Sequence, residues 1–166
     1  TSTPTPVDFL QAYRKAAQQA NNILCITLDT KLSTTNNTAI IAIDYAKKEL
    51  PGVTIKVMDS RTATAAEGFI ALAAAQAAED NKSLAEVINV AEKMRDKVNA
   101  LVLLDTIRHV YRSGRVPRIA SQVGSMFHIH PLLSVSVGVN FIGVARNREK
   151  GIELLLRKTR EKVDKK

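Results

Sequence analysis

The chain alternates between amphipathic stretches and short apolar runs. After Pro6, apolar residues recur at three- and four-residue intervals, which predicts an α-helix. Residues 23–28 then form a nearly continuous apolar run, which is typical of a strand buried on both faces. Further runs at 53–58 and 100–104 alternate with predicted helices at 36–50, 63–79 and 83–98. This order predicts an α/β fold with a parallel sheet and helices on both of its faces.

Local signals mark where several of these helices begin and end. Thr5 can cap the first helix, and Pro6 suits its first position. The Asp8 side chain, in the first turn, can accept a hydrogen bond from Thr5 in return. Ser83 and Glu86 form the pattern of a capping box. The predicted start of the helix that begins at 83 therefore does not depend on its hydrophobic pattern alone.

The pattern changes after residue 104. It predicts short helices at 105–111 and 118–126, two strands at 130–137 and 140–145 joined around Gly138, and a helix at 147–162. A strand pair with one helix cannot close a core alone. We therefore expect an α/β domain at 1–112 that lacks its N-terminal strand, and the start of a second, smaller α+β domain at 113–166. The chain also has no initiator Met, so we expect an internal fragment.

The composition is that of a globular protein with an aliphatic core. Hydrophobic residues make up 45% of the chain, aromatic residues only 4%, and Trp is absent. No apolar run reaches the roughly 18 residues that a membrane span needs. Cys25 is the only cysteine, which excludes an internal disulfide framework and favours a reducing cytoplasm. Because Cys25 lies in an apolar run, we expect a buried and inert thiol.

The net charge of +8 is concentrated near the C-terminus. Residues 146–166 hold nine basic and four acidic side chains. A solvated helix face would explain this excess. A surface for an acidic partner, which could be a nucleic acid, a lipid headgroup or a protein, is the alternative explanation.

Motifs of catalysis are missing from the sequence. There is no glycine-rich phosphate loop and no GxSxG elbow. His128 and His130 would share one face of a strand and could bind a metal, but no third ligand is evident. His109 could in principle activate a nucleophile, but no local pattern pairs it with one. We therefore predict that the chain is not an enzyme, and that it holds neither a metal nor a cofactor.

Hydroxyl groups form the one positive chemical signal. Thr1, Ser2 and Thr3 precede the first helix, and residues 33–35 precede the second. Hydroxyls at a helix N-terminus could bind a carboxylate or a phosphate. Ordinary N-capping is the alternative explanation.

Six short motifs, in order along the chain, resemble those of the bacterial DegV family. The family patterns are Thr-Ser-Gln-Pro, Leu-Ser-Gly-Thr, Val-x-Asp-Ser, Gly-Gly-Arg-Ile, Ile-Lys-Pro-Ile-Leu and Arg-x-Arg. The segments of this chain that resemble them are, in the same order, 1–5, 32–35, 57–60, 113–116, 129–133 and 146–148. Thr34 stands where the second motif has glycine, and His130 where the fifth has lysine.

The resemblance implies a carrier that holds one long-chain fatty acid, such as palmitate, in a tunnel between two domains. It assigns the carboxylate to the hydroxyls of Thr1, Ser2 and Ser33, with Arg115 adding positive charge. It assigns Arg146 to a contact with a fatty acid kinase, to which the carrier presents the acyl group. Two other functions remain open: a basic nucleic-acid-binding module, and a phosphoryl-transfer enzyme.

Overall fold

The computed structural model of the chain describes residues 3–106, 110, 112–115 and 129–163. The chain divides into two compact units, Thr1–Val98 and Asn99–Lys166. The first unit contains helices and strands in alternation: α1 Pro6–Ala17, β1 Asn22–Thr27, α2 Thr35–Glu49, β2 Thr54–Asp59, α3 Thr64–Glu79 and α4 Leu84–Lys97. These elements match the six that the hydrophobic pattern predicts for this part of the chain.

Strands β1 and β2 pair in parallel, with Asn22 opposite Thr54 and Thr27 opposite Asp59. Alternate residues of a strand point to opposite faces. In β1, Ile23 and Cys25 pack with the core of α1 and α2, whereas Leu24 and Ile26 pack with the core of α3 and α4. The predicted α/β class, with a parallel sheet and helices on both faces, is therefore confirmed.

Small side chains allow the helices to approach the sheet and each other closely. Ala42 and Ala46 are buried on the side of α1 and α2, where they pack with Leu10 and Tyr13. On the opposite side, Ala91 of α4 is fully buried in the cluster that contains the α3 residues. Alanine side chains therefore fill much of a core that has few aromatic residues, as the composition indicates.

The second unit is an antiparallel sheet covered by a helix. Its strands are β3 Ala100–Leu103, β4 His130–Val135 and β5 Val139–Ala145, in the order β3-β4-β5. Helix α5, Arg148–Val163, packs on all three strands. At Gly151 of α5, an added Cβ would lie 2.9 Å from both Cδ atoms of Leu103, so a side chain there would require Leu103 to shift.

The assignment of the third strand was wrong. We expected residues 100–104 to extend the parallel sheet, but Ala100–Leu103 pairs antiparallel with β4 inside the second unit. A short apolar run shows that a strand is buried, but not which strand it will pair with. The domain boundary at residue 112 stays a prediction. The helices predicted at 105–111 and 118–126 lie largely outside the described residues.

Within the described part of the chain, no helix combines the length and the apolar character needed to cross a membrane.

Candidate functional site

Four hydroxyl groups from two separate chain segments meet beside the N-terminus of α2. The Oγ1 of Thr3 lies 3.4 Å from Ser33 Oγ and 3.2 Å from Thr34 Oγ1. Ser33 Oγ is in turn 2.7 Å from Thr35 Oγ1. We call these residues, Thr3, Ser33, Thr34 and Thr35, the hydroxyl cluster. Segments that are 30 residues apart in sequence thus supply donors to one place.

The loop between β1 and α2 is fixed by backbone hydrogen bonds that centre on Asp29. The carbonyl of Asp29 accepts from the amides of Leu32 (2.9 Å) and Ser33 (3.2 Å). Its carboxylate accepts from the amide of Lys31 at 2.7 Å, and Asp29 is only 1% exposed. Asp29 therefore holds the turn that presents Ser33.

A buried polar network anchors the start of α2 to the sheet. The Nδ2 of Asn36, a buried residue, donates to Thr27 Oγ1 at 2.9 Å. The hydroxyl of Thr27 donates to the carbonyl of Met58 in β2 at 3.4 Å. Because buried polar groups are costly unless they are paired, this network fixes the first turn of α2 against both strands.

The N-termini of α1 and α2 differ in their electrostatics. In α1, the Thr5 side chain accepts from the Asp8 amide, and the Asp8 carboxylate accepts from Thr5 in return, so an acidic side chain already lies in the first turn. In α2, Thr34 makes no side-chain capping bond and the first turn holds no acidic residue. The positive end of the α2 dipole is therefore not offset by a carboxylate of its own first turn. An anion is better accommodated at α2 than at α1.

The loops that follow β1 and β2 are tied together. Thr30 Oγ1 donates to Asp59 Oδ2 at 2.9 Å, and the Asp29 amide donates to the carbonyl of Thr62 at 2.9 Å. Ser60 and Thr62 are buried and bond each other. The carboxyl ends of parallel strands are the usual place for ligand sites in α/β sheets, and here hydrogen bonds join the two loops at this edge.

Two further side chains in the first unit, Glu67 and Cys25, have raised pKa values. Burial, reinforced by the nearby Asp59 carboxylate, raises the pKa of Glu67. Burial also raises the pKa of the Cys25 thiol, so little reactive thiolate forms at neutral pH. The raised pKa agrees with the predicted inert thiol, although Cys25 is only partly buried.

The predicted site residues are distributed over the two units. Thr1 and Ser2 lie outside the described residues, although their neighbour Thr3 reaches Ser33. In the second unit, the guanidinium of Arg115 donates to the carbonyl of Ser113 at 2.7 Å. Arg146 is exposed and lines an open cavity at the end of β5. The roles predicted for all of these residues stay predictions.

The sequence places all four members of the hydroxyl cluster among the hydroxyls that precede α1 and α2, but the resemblance assigns the carboxylate to only one of them, Ser33. Thr34 stands where the family has glycine, but its φ of −81° is ordinary for any residue. Its side chain adds a hydroxyl rather than disturbing the loop.

No group of three or more His, Cys, Asp or Glu side chains that could hold a metal occurs among the residues the structure describes. His128, one of the two histidines considered as ligands, lies outside them. His130 instead has its Nδ1 3.5 Å from Asp105 Oδ1.

Comparison with known proteins gives a family match over the whole chain. The profile of the DegV family, described as uncharacterised proteins, matches residues 1–166. A DegV domain-containing protein of Lactococcus lactis is 30% identical over 166 residues, which are 99% of this chain and 57% of that protein. The chain therefore spans a little over half the length of this relative.

Solved structures show the same similarity. A DegV family protein from Thermus thermophilus, described by its fatty acid binding, is 28% identical with a TM-score of 0.84 and is matched over 97% of this chain and 56% of its own. A DegV lipid binding protein from Thermotoga maritima is 27% identical with a TM-score of 0.80, over 97% of this chain and 55% of its own.

Proposed function

Because this chain belongs to the DegV family, we propose that it binds one long-chain fatty acid, such as palmitate, and acts as a carrier rather than as an enzyme. The observation that carries this proposal is the hydroxyl cluster, in which Thr3 from the N-terminal segment meets Ser33 from the loop after β1. The Thermus and Thermotoga relatives, which are described as fatty-acid and lipid binding, support the same ligand class.

In this proposal the carboxylate binds at the hydroxyl cluster. A carboxylate taken out of water needs several donors, because an unpaired buried charge is very costly. Ser33 and the N-terminal residues Thr1 and Ser2 would donate to its oxygens. The N-terminus of α2, which has no acid in its first turn, would add a favourable dipole. Arg115 would contribute positive charge.

The acyl chain would lie in a tunnel lined by apolar side chains. Exposed apolar residues follow the hydroxyl cluster along α2: Ile40 is 48%, Ile41 49% and Tyr45 51% exposed in this chain. Covering such a surface is favourable, and each methylene removed from water contributes about 0.8 kcal/mol. The acyl chain would therefore supply most of the affinity, and the head group would supply orientation.

We further propose that the bound acyl group is presented to a fatty acid kinase and that Arg146 contacts this partner. Arg146 follows β5 directly and is exposed. An exposed arginine suits recognition of carboxylates or phosphates on another protein, because its planar group can form two parallel hydrogen bonds. The carrier itself then needs no general base and no metal. A cytoplasmic location, where such a kinase would act, stays a prediction.

Mass spectrometry of an organic extract of the purified protein tests the ligand class. We expect one fatty acid, at close to one molecule per chain, in the wild type and much less in Ser33→Ala. An extract free of fatty acid, from protein that also fails to bind added palmitate, would reject the proposal. Salt-sensitive binding to DNA or RNA in the same preparation would favour the nucleic-acid alternative.

A further inference from the structure

The second unit contains an open cavity with an unbalanced positive charge. It lies between the end of β5 and one side of α5 and has a volume of about 510 Å³. Its walls combine cationic, acidic and apolar residues: Val144, Ala145, Arg146, Lys150, Glu153, Leu154 and Arg157. This cavity is formed by the second unit alone. It shares Arg146 with the proposed kinase contact, but the proposed carboxylate site does not involve it.

The positive charge of the cavity comes mainly from basic residues that are spaced along one side of α5. Lys150 and Arg157 are seven residues apart, which is about two helical turns or roughly 10 Å along the axis. They therefore stand on the same side of α5, and Arg146 adds a third cation from the end of β5. Glu153 is the one carboxylate in the wall.

These cations are poorly neutralised by the protein. Among the described residues, the ion pairs of the second unit involve neither Arg146 nor Lys150. Arg157 reaches Glu161 only at 4.0 Å, and Glu161 already pairs with Lys158 at 2.7 Å. Three like charges around one cavity repel each other, so a bound anion with two negative charges would be stabilised there.

We infer that this cavity binds the phosphate group of a small soluble molecule. The phosphate would contact Lys150, Arg157 and Arg146, since arginine and lysine are the side chains that best match phosphate oxygens. The volume lies within the range of small-molecule sites, about 300–1,000 Å³, so the cavity has room for more than a lone phosphate ion. Val144 and Leu154 form an apolar wall for the remainder of the ligand.

Phenyl phosphate, which combines a phosphate with a compact apolar group, is a suitable probe. Isothermal titration calorimetry at low salt should give saturable binding at one site, tighter than that of inorganic phosphate. Lys150→Gln and Arg157→Gln should each weaken it about tenfold, as expected for loss of a hydrogen bond to a charged group. Glu153→Gln, which removes the opposing charge, should strengthen it.

The matched control is Arg160→Gln. Arg160 lies on the same helix and its replacement changes the net charge equally, but it does not line the cavity. Unchanged binding in Arg160→Gln supports a specific site. An equal loss in Arg160→Gln would show general attraction to a basic helix and would overturn the inference. Absence of saturation at millimolar phenyl phosphate, or binding only to phosphatidylglycerol vesicles, would overturn it as well. None of these outcomes depends on fatty-acid binding.

Discussion

Replacing Ser33 by alanine removes the central member of the hydroxyl cluster. Ser33 Oγ lies 2.7 Å from Thr35 Oγ1, 3.4 Å from Thr3 Oγ1, and 3.2 Å from the Thr35 amide, from which it accepts. In the proposed complex it donates to the fatty-acid carboxylate. A hydrogen bond to a charged acceptor contributes about 1.5–3 kcal/mol. We therefore expect Ser33→Ala to weaken palmitate binding by roughly tenfold to a hundredfold.

The same experiment has two matched controls. Thr38 is a nearby hydroxyl residue of α2, but its Oγ1 donates to the carbonyl of Thr34 at 3.1 Å, so Thr38→Ala should bind palmitate as the wild type does. Ser33→Thr keeps a hydroxyl and should retain most of the affinity. Affinities can be measured by displacement of a fluorescent fatty acid, with circular dichroism to confirm that each variant is folded. Equal affinities for Ser33→Ala and Thr38→Ala would refute the assigned head-group site.

Three further predictions concern stability in the first unit. Tyr13 is 3% exposed and its hydroxyl donates to the carbonyl of Ala39 at 3.0 Å, so Tyr13→Phe should lower the free energy of unfolding by about 1 kcal/mol in urea titrations. Ala91 is fully buried, and Ala91→Leu should cost about 1–3 kcal/mol through overpacking; an unchanged urea midpoint would contradict the described core. Hydrogen bonds from Ser83 lower the pKa of Glu86 below 4.5. The contribution of the Glu86 carboxylate to the free energy of unfolding is therefore present above pH 4.5 and is lost as the pH falls through the lowered pKa. The stability difference between wild type and Glu86→Gln should therefore shrink in acid, and a difference that is constant from pH 7 to pH 3 would count against this capping box.

Much of the first unit could be predicted because its local and tertiary signals agree. Thr5 and Ser83 form the capping boxes that the sequence indicates. The apolar run of β1 is continuous because Ile23 and Leu24 face different helix layers. When every side chain of a strand packs against one helix layer or the other, the whole strand must be apolar. Its hydrophobic pattern then predicts a buried strand with few alternatives.

The error at Ala100–Leu103 has a physical reason. All four residues of this strand are partly buried, which suits a parallel or an antiparallel neighbour equally well. Its partner β4 begins at His130, far along the chain, and β4 could not be linked to it by any local signal. Pairing that depends on distant segments is decided by tertiary packing rather than by local pattern.

The candidate site could be predicted only in part. Ser33 is assigned to the carboxylate by the family resemblance, because its segment resembles a family motif and follows a predicted buried strand. The contribution of Thr34 depends on the side-chain distance of 3.2 Å to Thr3, which no sequence pattern contains. The structural role of Asp29, which accepts hydrogen bonds from the loop that presents Ser33, could likewise be recognised only from the geometry.

The central claim is that hydroxyl donors from two chain segments hold an ionised carboxylate beside α2. Nuclear magnetic resonance of palmitate labelled with ¹³C at its carboxyl carbon reports this group directly. Donors directed at the charged form lower a carboxyl pKa, so bound palmitate should stay ionised to lower pH than free palmitate, and Ser33→Ala should raise its pKa. A bound carboxyl that titrates as it does in solution and does not respond to Ser33→Ala would contradict the account.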